Sequence, residues 1–383
     1  MIVALLLTLL FLPAPARAEV PTNHIYPFET PSARAAALGG THAALTDDYY
    51  TAFNNPAGFA AIPQKIRFAE LSAEMDHIDF LMSLYFGDVT VQSFRQMIMK
   101  PSEAYALIGG PISFGMISNG WGWRVFNATR ANIYWNGVTQ RFMDARYSEE
   151  LALNIGHGFR LMRTDRATLD VGITLKGFYR LVFLPERTTN TIDDLITAMQ
   201  EARNVFSTMG DHPWETQIGG GIDIGIRWTW DDSFSLGLAC KDPYSPAAVT
   251  GYRNLTQYSS MVANRSEYKT VAPKLGAGLS WRIPSQKLHR FNTDLILSVD
   301  YNNFLDPILS SRSPLLPISV GLELRILEVL SLRAGFADLL PSGGLGVNFT
   351  YFQFDAAYGG KEISATPGSD TTWFLSLNLI FRQ

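Results

Sequence analysis

The sequence predicts an all-β fold, a transmembrane antiparallel β-barrel of about 14 strands. Three observations carry this. From about residue 104 onward the dominant hydrophobic period is two. Many of the alternating runs are about 11 to 16 residues long, against roughly 5–6 in soluble sheets. The joins between runs alternate between short and long along the chain.

Successive side chains of a strand point to opposite faces, so an alternating run is apolar on one face and polar on the other. In 168–183, Leu169, Val171, Ile173, Leu175, Tyr179, Leu181 and Phe183 oppose Asp170, Thr174, Lys176, Phe178, Arg180 and Val182. In 215–230, Ile218, Ile222, Ile224, Ile226, Trp228 and Trp230 oppose Glu215, Gln217, Asp223, Arg227 and Thr229. The same pattern opposes Leu275, Leu279 and Trp281 to Lys274, Ser280 and Arg282, and Leu295, Leu297 and Val299 to Asp294, Ser298 and Asp300. Val320, Leu322 and Leu324 oppose Glu323 and Arg325, and the chain ends on TTWFLSLNLIFRQ. The expected strands are 65–75, 104–118, 121–136, 147–161, 168–183, 215–230, 233–242, 269–283, 290–302, 317–327, 330–338, 342–350, 352–358 and 371–382.

Short joins fall at 119–120, 164–166, 231–232, 284–289, 328–329 and 350–352; longer ones fall at 137–146, 184–214, 243–268, 303–316 and 359–370, with a short one at 341–343. Strict alternation places turns on one side and loops on the other, as in bacterial barrels. Residues 77–103 do not alternate cleanly and are expected as a partly helical external loop; two strands there would raise the count to 16. A second helix is expected at 191–206, capped by Thr191. These two apolar segments are read either as a collection surface for greasy molecules or as a lid. Aromatic residues near strand ends (Trp228, Trp230, Trp281, Tyr301, Phe381) suit interfacial girdles.

Residues 1–18, MIVALLLTLLFLPAPARA, read as a secretory signal cleaved before Glu19, although no Lys or Arg precedes the apolar run. The single cysteine, Cys240, excludes an internal disulfide framework and reads as a small strand residue. With 31 basic and 35 acidic residues, no nucleic-acid partner is expected. The six histidines are scattered without metal-ligand spacing, and neither a nucleophile elbow nor a phosphate loop is present, so neither enzyme activity, metal nor cofactor is expected. Gly219–Gly221 and Gly225 lie within a strand, where they make room for a plug. The phase of His157 turns it outward among Leu153, Ile155 and Phe159, unless Gly156 and Gly158 change the register.

Between leader and first strand lies SARAAALGGTHAALTDDYYTAFNNPAGFA, residues 32–60. Its Gly39, Gly40, Asp47, Asp48, Asn55, Pro56 and Ala57 occur in an order and spacing that resembles the N-terminal hatch of the FadL/TodX family. The resemblance implies an outer-membrane transporter for long-chain fatty acids or other hydrophobic ligands, taken up passively. It implies three parts: a signal peptide at 1–18, a hatch at 19–64 and a barrel at 65–383. Relatives with the same signature are linked to protein secretion, so an outer-membrane scaffold or shuttle role is the alternative. A barrel this wide cannot fill its own lumen with side chains, and a small-residue segment suits the space. Asp47 and Asp48 are expected either to pair with lumen cations or to cap a helical turn.

A fatty carboxylate needs a cation. By strand phase the lumen-facing candidates are Lys176, Arg180, Arg227, Lys274 and Arg282, with Arg180 and Lys274 nearest the external ends. The other reading of these residues is a structural charge ladder with Asp170, Asp223, Asp294, Asp300 and Glu323. Outer-membrane lipid is the expected surrounding. The sequence leaves open whether the barrel acts as a monomer.

Overall fold

The computed structural model describes residues 24–77, 101–136, 143–183, 212–283, 293–309 and 312–382. Within these, fourteen strands form one closed antiparallel barrel. They are β1 Lys65–Asp76, β2 Pro101–Ser118, β3 Trp121–Asn136, β4 Met143–Arg163, β5 Ala167–Phe183 and β6 Trp214–Trp230. β7 runs Phe234–Tyr244 and resumes at Pro246–Tyr252; β8 runs Arg265–Val271 and resumes at Lys274–Ile283. β9 Thr293–Tyr301, β10 Ile318–Ile326, β11 Leu330–Ala337, β12 Leu340–Asn348, β13 Phe352–Glu362 and β14 Thr371–Arg382 complete the wall. β14 pairs back onto β1, for example Leu379 opposite Leu71, and this closure leaves every neighbour in the ring paired.

The two faces separate by polarity. Leu151, Leu153, Ile155, Ile173, Leu175, Ile224, Leu238, Trp281, Leu322 and Phe381 are exposed on the outside. Asp170, Thr174, Arg180, Asp223, Ser298, Glu323, Asp355 and Asn378 are buried inside. An apolar exterior with a polar interior is the arrangement of a barrel set in lipid, where closed strand pairing satisfies the backbone. His157 faces outward, its ring 4.2 Å from that of Trp121, so its phase is kept through Gly156 and Gly158.

Three joins are shorter than the alternation predicts. β4 starts at Met143 rather than 147, β13 reaches Glu362 rather than 358, and the expected loop 243–268 shrinks to 253–264. In the last case prolines hid the strands. Asp242 and Pro243 form a two-residue bulge, with Asp242 at φ +53°, after which β7 resumes pairing with β6. β8 is interrupted at Ala272–Pro273, and its upper half pairs with β7 from Arg265 to Thr270. The count of 14 stands, and β2 begins at Pro101. The helices expected within 77–103 and 191–206 fall outside the described residues.

Residues 24–64 lie inside the barrel. His24–Ile25 pair in parallel with Thr270–Val271 of β8. Helix α1, Ala33–Ala37, is capped by Ser32 and ends in a turn through Gly39 and Gly40, at φ +67° and +84°. Helix α2, Tyr49–Asn54, is capped by Asp48 in a reciprocal box with Thr51. A 3-10 turn over Pro56–Ala60 is capped by Asn55 and leads into β1.

The wall makes room with glycines at inward positions. A Cβ on Gly237 would stand 1.9 Å from the Ala43 carbonyl oxygen, and one on Gly225 would stand 2.0 Å from Asn55 Oδ1. The Phe59 ring sits where side chains of Gly122 and Gly156 would be. Gly237→Ala, on the lumen face, should therefore loosen the segment by about 1–3 kcal/mol, as overpacking does elsewhere. Faster proteolysis within 24–64 at unchanged heat-modifiable mobility of the barrel is the expected readout.

Candidate functional site

Among the described residues, two large cavities lie on opposite sides of the N-terminal segment. On the long-loop side a cavity of about 750 Å³ is bordered by Tyr26, Tyr50, Tyr105, Leu107, Arg130 and Lys361. On the turn side one of about 710 Å³ is bordered by Asp47, Arg160, Arg227, Arg282 and Arg325.

A charge network anchors the segment above the turn-side cavity. Arg34 of α1 reaches Glu323 of β10 with Nη2 at 2.7 Å and Nε at 3.1 Å. Its Nη1 lies 2.9 Å from Asp47 Oδ1 and 2.6 Å from Asp48 Oδ2. Arg325 bridges Glu323 at 2.7 Å and Asp47 at 2.5 Å, and Arg333 bridges Glu323 at 2.8 Å and Asp355 at 2.6 Å. Arg282 approaches Asp47 at 3.4 Å. Four carboxylates meet four guanidiniums, so the buried charge is balanced and multiply hydrogen-bonded.

Further contacts fix the segment around the ring. Asn55 is fully buried and donates from Nδ2 to the carbonyls of Ala43 (2.6 Å) and Ile226 (3.3 Å), while its Oδ1 accepts from Ala57 N–H at 3.2 Å. Pro56 passes against Gly172 and Gly225, and Gly39 against the Phe336 backbone. The Asp300 carboxylate accepts from the N–H groups of His42 (2.6 Å) and Ala43 (2.7 Å). The Asn378 carboxamide accepts from Ala33 N–H at 2.5 Å.

The lumen cations sit at several levels. Lys176 lies between Asp223 (2.7 Å) and Asp242 (2.5 Å). Arg180 is buried; it donates to Glu150 at 2.9 Å, Gln217 at 3.0 Å and the Tyr26 carbonyl at 3.0 Å. Arg227 donates to Ser235 at 3.1 Å and borders the turn-side cavity with Arg282. Lys274, more exposed, pairs with Glu29 at 3.1 Å, and this ammonium holds the Glu29 carboxyl well below the usual carboxylate range. Lys274 and Lys241 share Glu29, and Lys241 also donates to Asn54.

Strand phase did not single out Arg34, which sits on a helix. Lys361 was missed because Gly359–Gly360 read as the start of a loop. Its Nζ lies 5.4 Å from the Tyr105 ring centre, and no carboxylate among the described residues is within ion-pair distance of it. An apolar patch inside the lumen was also missed: Phe126, Phe178, Ala247, Val249 and Val271 bury themselves around Ile25, with Phe28 packed against them. Phe178 on the polar face of 168–183 was its signal.

His42 makes docking of the segment acid-sensitive. Enclosure in the lumen, with Lys241 adding repulsion, pushes its imidazole from 6.5 down to about 4, while Nδ1 donates to the Gly40 carbonyl at 2.7 Å. The neutral ring is the docked form, and the released segment binds the extra proton. Docking is therefore at full strength above pH 6.5 and weakens as the pH falls toward about 4. Protease sensitivity of the segment should rise across that window, and His42→Gln should flatten the profile.

No family model matches the sequence, and no curated protein does. Among solved structures, the chain is similar to the toluene transporter TodX of Pseudomonas putida, at 12% identity over 94% of this chain and 98% of that one, with a TM-score of 0.42. It is similar to a FadL homologue of Pseudomonas aeruginosa, at 13% identity over 93% and 99%, with a TM-score of 0.44. It is also similar to the toluene transporter TbuX of Ralstonia pickettii, at 10% identity over 95% and 99%, with a TM-score of 0.45.

Proposed function

We propose that this chain is an outer-membrane channel for passive uptake of hydrophobic molecules, long-chain fatty acids or compounds like them. The observation that carries the reading is the apolar patch of Phe126, Phe178, Ala247, Val249 and Val271 inside the lumen. A pore for hydrophilic solutes has no use for it, and lipid does not reach it. Tyr26 and Pro27, next to Phe28 on that patch, border the long-loop cavity with Tyr50, Tyr105 and Leu107, so cargo in that cavity has apolar surface beside it. On this reading the long loops are extracellular and the turns periplasmic.

Residues 24–64 act as the hatch, with Gly39, Gly40, Asp47, Asp48, Asn55, Pro56 and Ala57 shaping its turns and anchors. Lys361, beside Tyr105 in the long-loop cavity, offers a cation to a carboxylate headgroup. Arg180, Lys176 and Lys274 take a positioning role, since their charges already meet Glu150, Asp223 with Asp242, and Glu29.

The test is uptake of radiolabelled oleate by cells that express the protein and lack other routes. Uptake above the empty-vector rate supports the channel, and Lys361→Ala should slow oleate several-fold more than oleyl alcohol. Uptake at the empty-vector rate, together with a stoichiometric protein partner on purification, would favour the scaffold role instead.

A further inference from the structure

The lining of the turn-side cavity holds a half-buried guanidinium that no carboxylate answers. Asp170 is taken by Arg160 at 2.7 Å, and Asp47, Asp48, Glu323 and Asp355 are matched by Arg34, Arg282, Arg325 and Arg333. Arg227 of β6 stands opposite Asp170 in the ladder, yet no carboxylate among the described residues is within ion-pair distance of it. Its Nη2 donates to Ser235 Oγ at 3.1 Å, and its buried Nε has no hydrogen-bond partner among the described residues.

Hydroxyls and a second guanidinium stand beside it. Thr229 of β6 and Ser235 of β7 are paired in register, with their side-chain oxygens 3.2 Å apart. Ser235 accepts from Arg227 and the hydroxyl pair uses one proton, so the second hydroxyl proton has no acceptor among the described residues. On β8, Arg282 keeps only a long contact with Asp47, at 3.4 Å, and its side chain is 41% exposed. Arg227 is level with Gly237 of β7 and Arg282 with Ser233, so their Cα atoms lie about 16 Å apart on a diagonal that two extended arginines bridge around one small anion. All four side chains border the same cavity. The carboxylates Asp165, Asp231, Asp232 and Glu328 on that lining are exposed turn residues, as are Arg163 and Arg166, and water screens them. Asp294, half-buried, stands opposite Arg325 on β10.

We propose that Arg227, Thr229, Ser235 and Arg282 form a site for a single oxyanion, a carboxylate or a phosphate, entered from the turn side. A guanidinium fork matches either oxyanion, and hydrogen bonds between ionised partners are the strong ones. A bound oxygen also gives the spare hydroxyl proton its acceptor. The site lies across the N-terminal segment from Lys361, and it stands whatever the barrel carries.

Inorganic phosphate, acetate and octanoate are the probes, titrated into the full-length protein in detergent and followed by phosphorus and carbon NMR line broadening against protein-free micelles. Saturable binding is expected, and Arg227→Met should weaken it at least about tenfold through loss of a charge-assisted contact. Protease resistance of residues 24–64 should be kept in that variant, because removing Arg227 strands no carboxylate. Arg282→Gln, at an exposed side chain, decides the matter if Arg227→Met does not give a heat-modifiable barrel. Octanoate bound more tightly than acetate and phosphate supports the site with a lipid-like carboxylate as its source; phosphate bound more tightly than both supports it with free phosphate. Absence of saturable binding, or equal affinity in the unsubstituted protein and the variant, overturns the site. Protease resistance lost in Arg227→Met at unchanged anion affinity makes Arg227 a wall residue and overturns it as well.

Discussion

Deleting residues 24–64 from the full chain turns a silent barrel into an open pore. The wall needs nothing from the segment to close, because each strand pairs with two neighbours and β14 returns to β1. The lumen does need it. The two cavities of about 750 and 710 Å³ are separated by α1, α2 and the 3-10 turn, which fill the middle of the tube. A barrel of this strand number leaves a channel that its own side chains do not fill. The lumen face is further hollowed by Gly122, Gly156, Gly172, Gly225 and Gly237, each of which has the segment as its nearest neighbour. The deleted form should therefore conduct steadily in planar bilayers, and its liposome-swelling rate with small sugars should rise at least about tenfold over the intact chain. Heat-modifiable mobility of the deleted protein shows that the wall has formed. A folded, deleted barrel that stays electrically silent would mean that something other than residues 24–64 closes the tube.

What the sequence shows of this molecule divides along a physical line. Strand phase is local, so the faces of 168–183 and 215–230 can be read directly, and Asp170, Asp223 and Glu323 turn up inside where alternation puts them. Phase fails where proline interrupts it. Pro243, Pro246 and Pro273 each stop the alternation, yet the ladder resumes beyond each, because a bulge or break lets the strand re-enter the sheet. Gly359–Gly360 misled for a different reason: they are strand residues kept small by Ser342, Phe374 and Leu340, and treating them as a loop hid Lys361.

The anchoring network shows the harder limit. Asp47 and Asp48 stand out in the sequence, and Glu323 with Arg325 is visible on a lumen face. Their common partner Arg34 lies 289 residues from Glu323, on a short helix whose orientation no periodicity specifies. Only closure of the barrel around the segment brings them together. The inward patch was visible only as Phe178, an apolar residue on a polar face, and its meaning depends on Ile25 and Phe28 arriving from the other end of the chain.

Glu323→Ala should undock the segment more completely than Arg34→Ala, although both break the same contact. Glu323 has 1% of its side chain exposed and meets three guanidiniums, from Arg34, Arg325 and Arg333. Its loss leaves those cations converging on a buried site with one balancing charge fewer. Arg34→Ala is milder at Glu323, which keeps Arg325 and Arg333, and at Asp47, which keeps Arg325 and Arg282. Asp48 keeps its cap on α2 through Thr51 N–H at 2.7 Å. Breaking a buried pair from one side costs about 3–5 kcal/mol, and this ordering places Arg34→Ala near the low end and Glu323→Ala near the high end. Both act on docking, not on the wall, so proteolysis within 24–64 should accelerate on the order of a hundredfold or more while heat-modifiable mobility persists. The neutral double variant, Arg34→Met with Glu323→Gln, should lose less than the sum of the single losses, because neither charge is then stranded. Additive losses would place the two residues in separate networks, and native protease resistance in Glu323→Ala would remove the anchor from the account of how the tube stays closed.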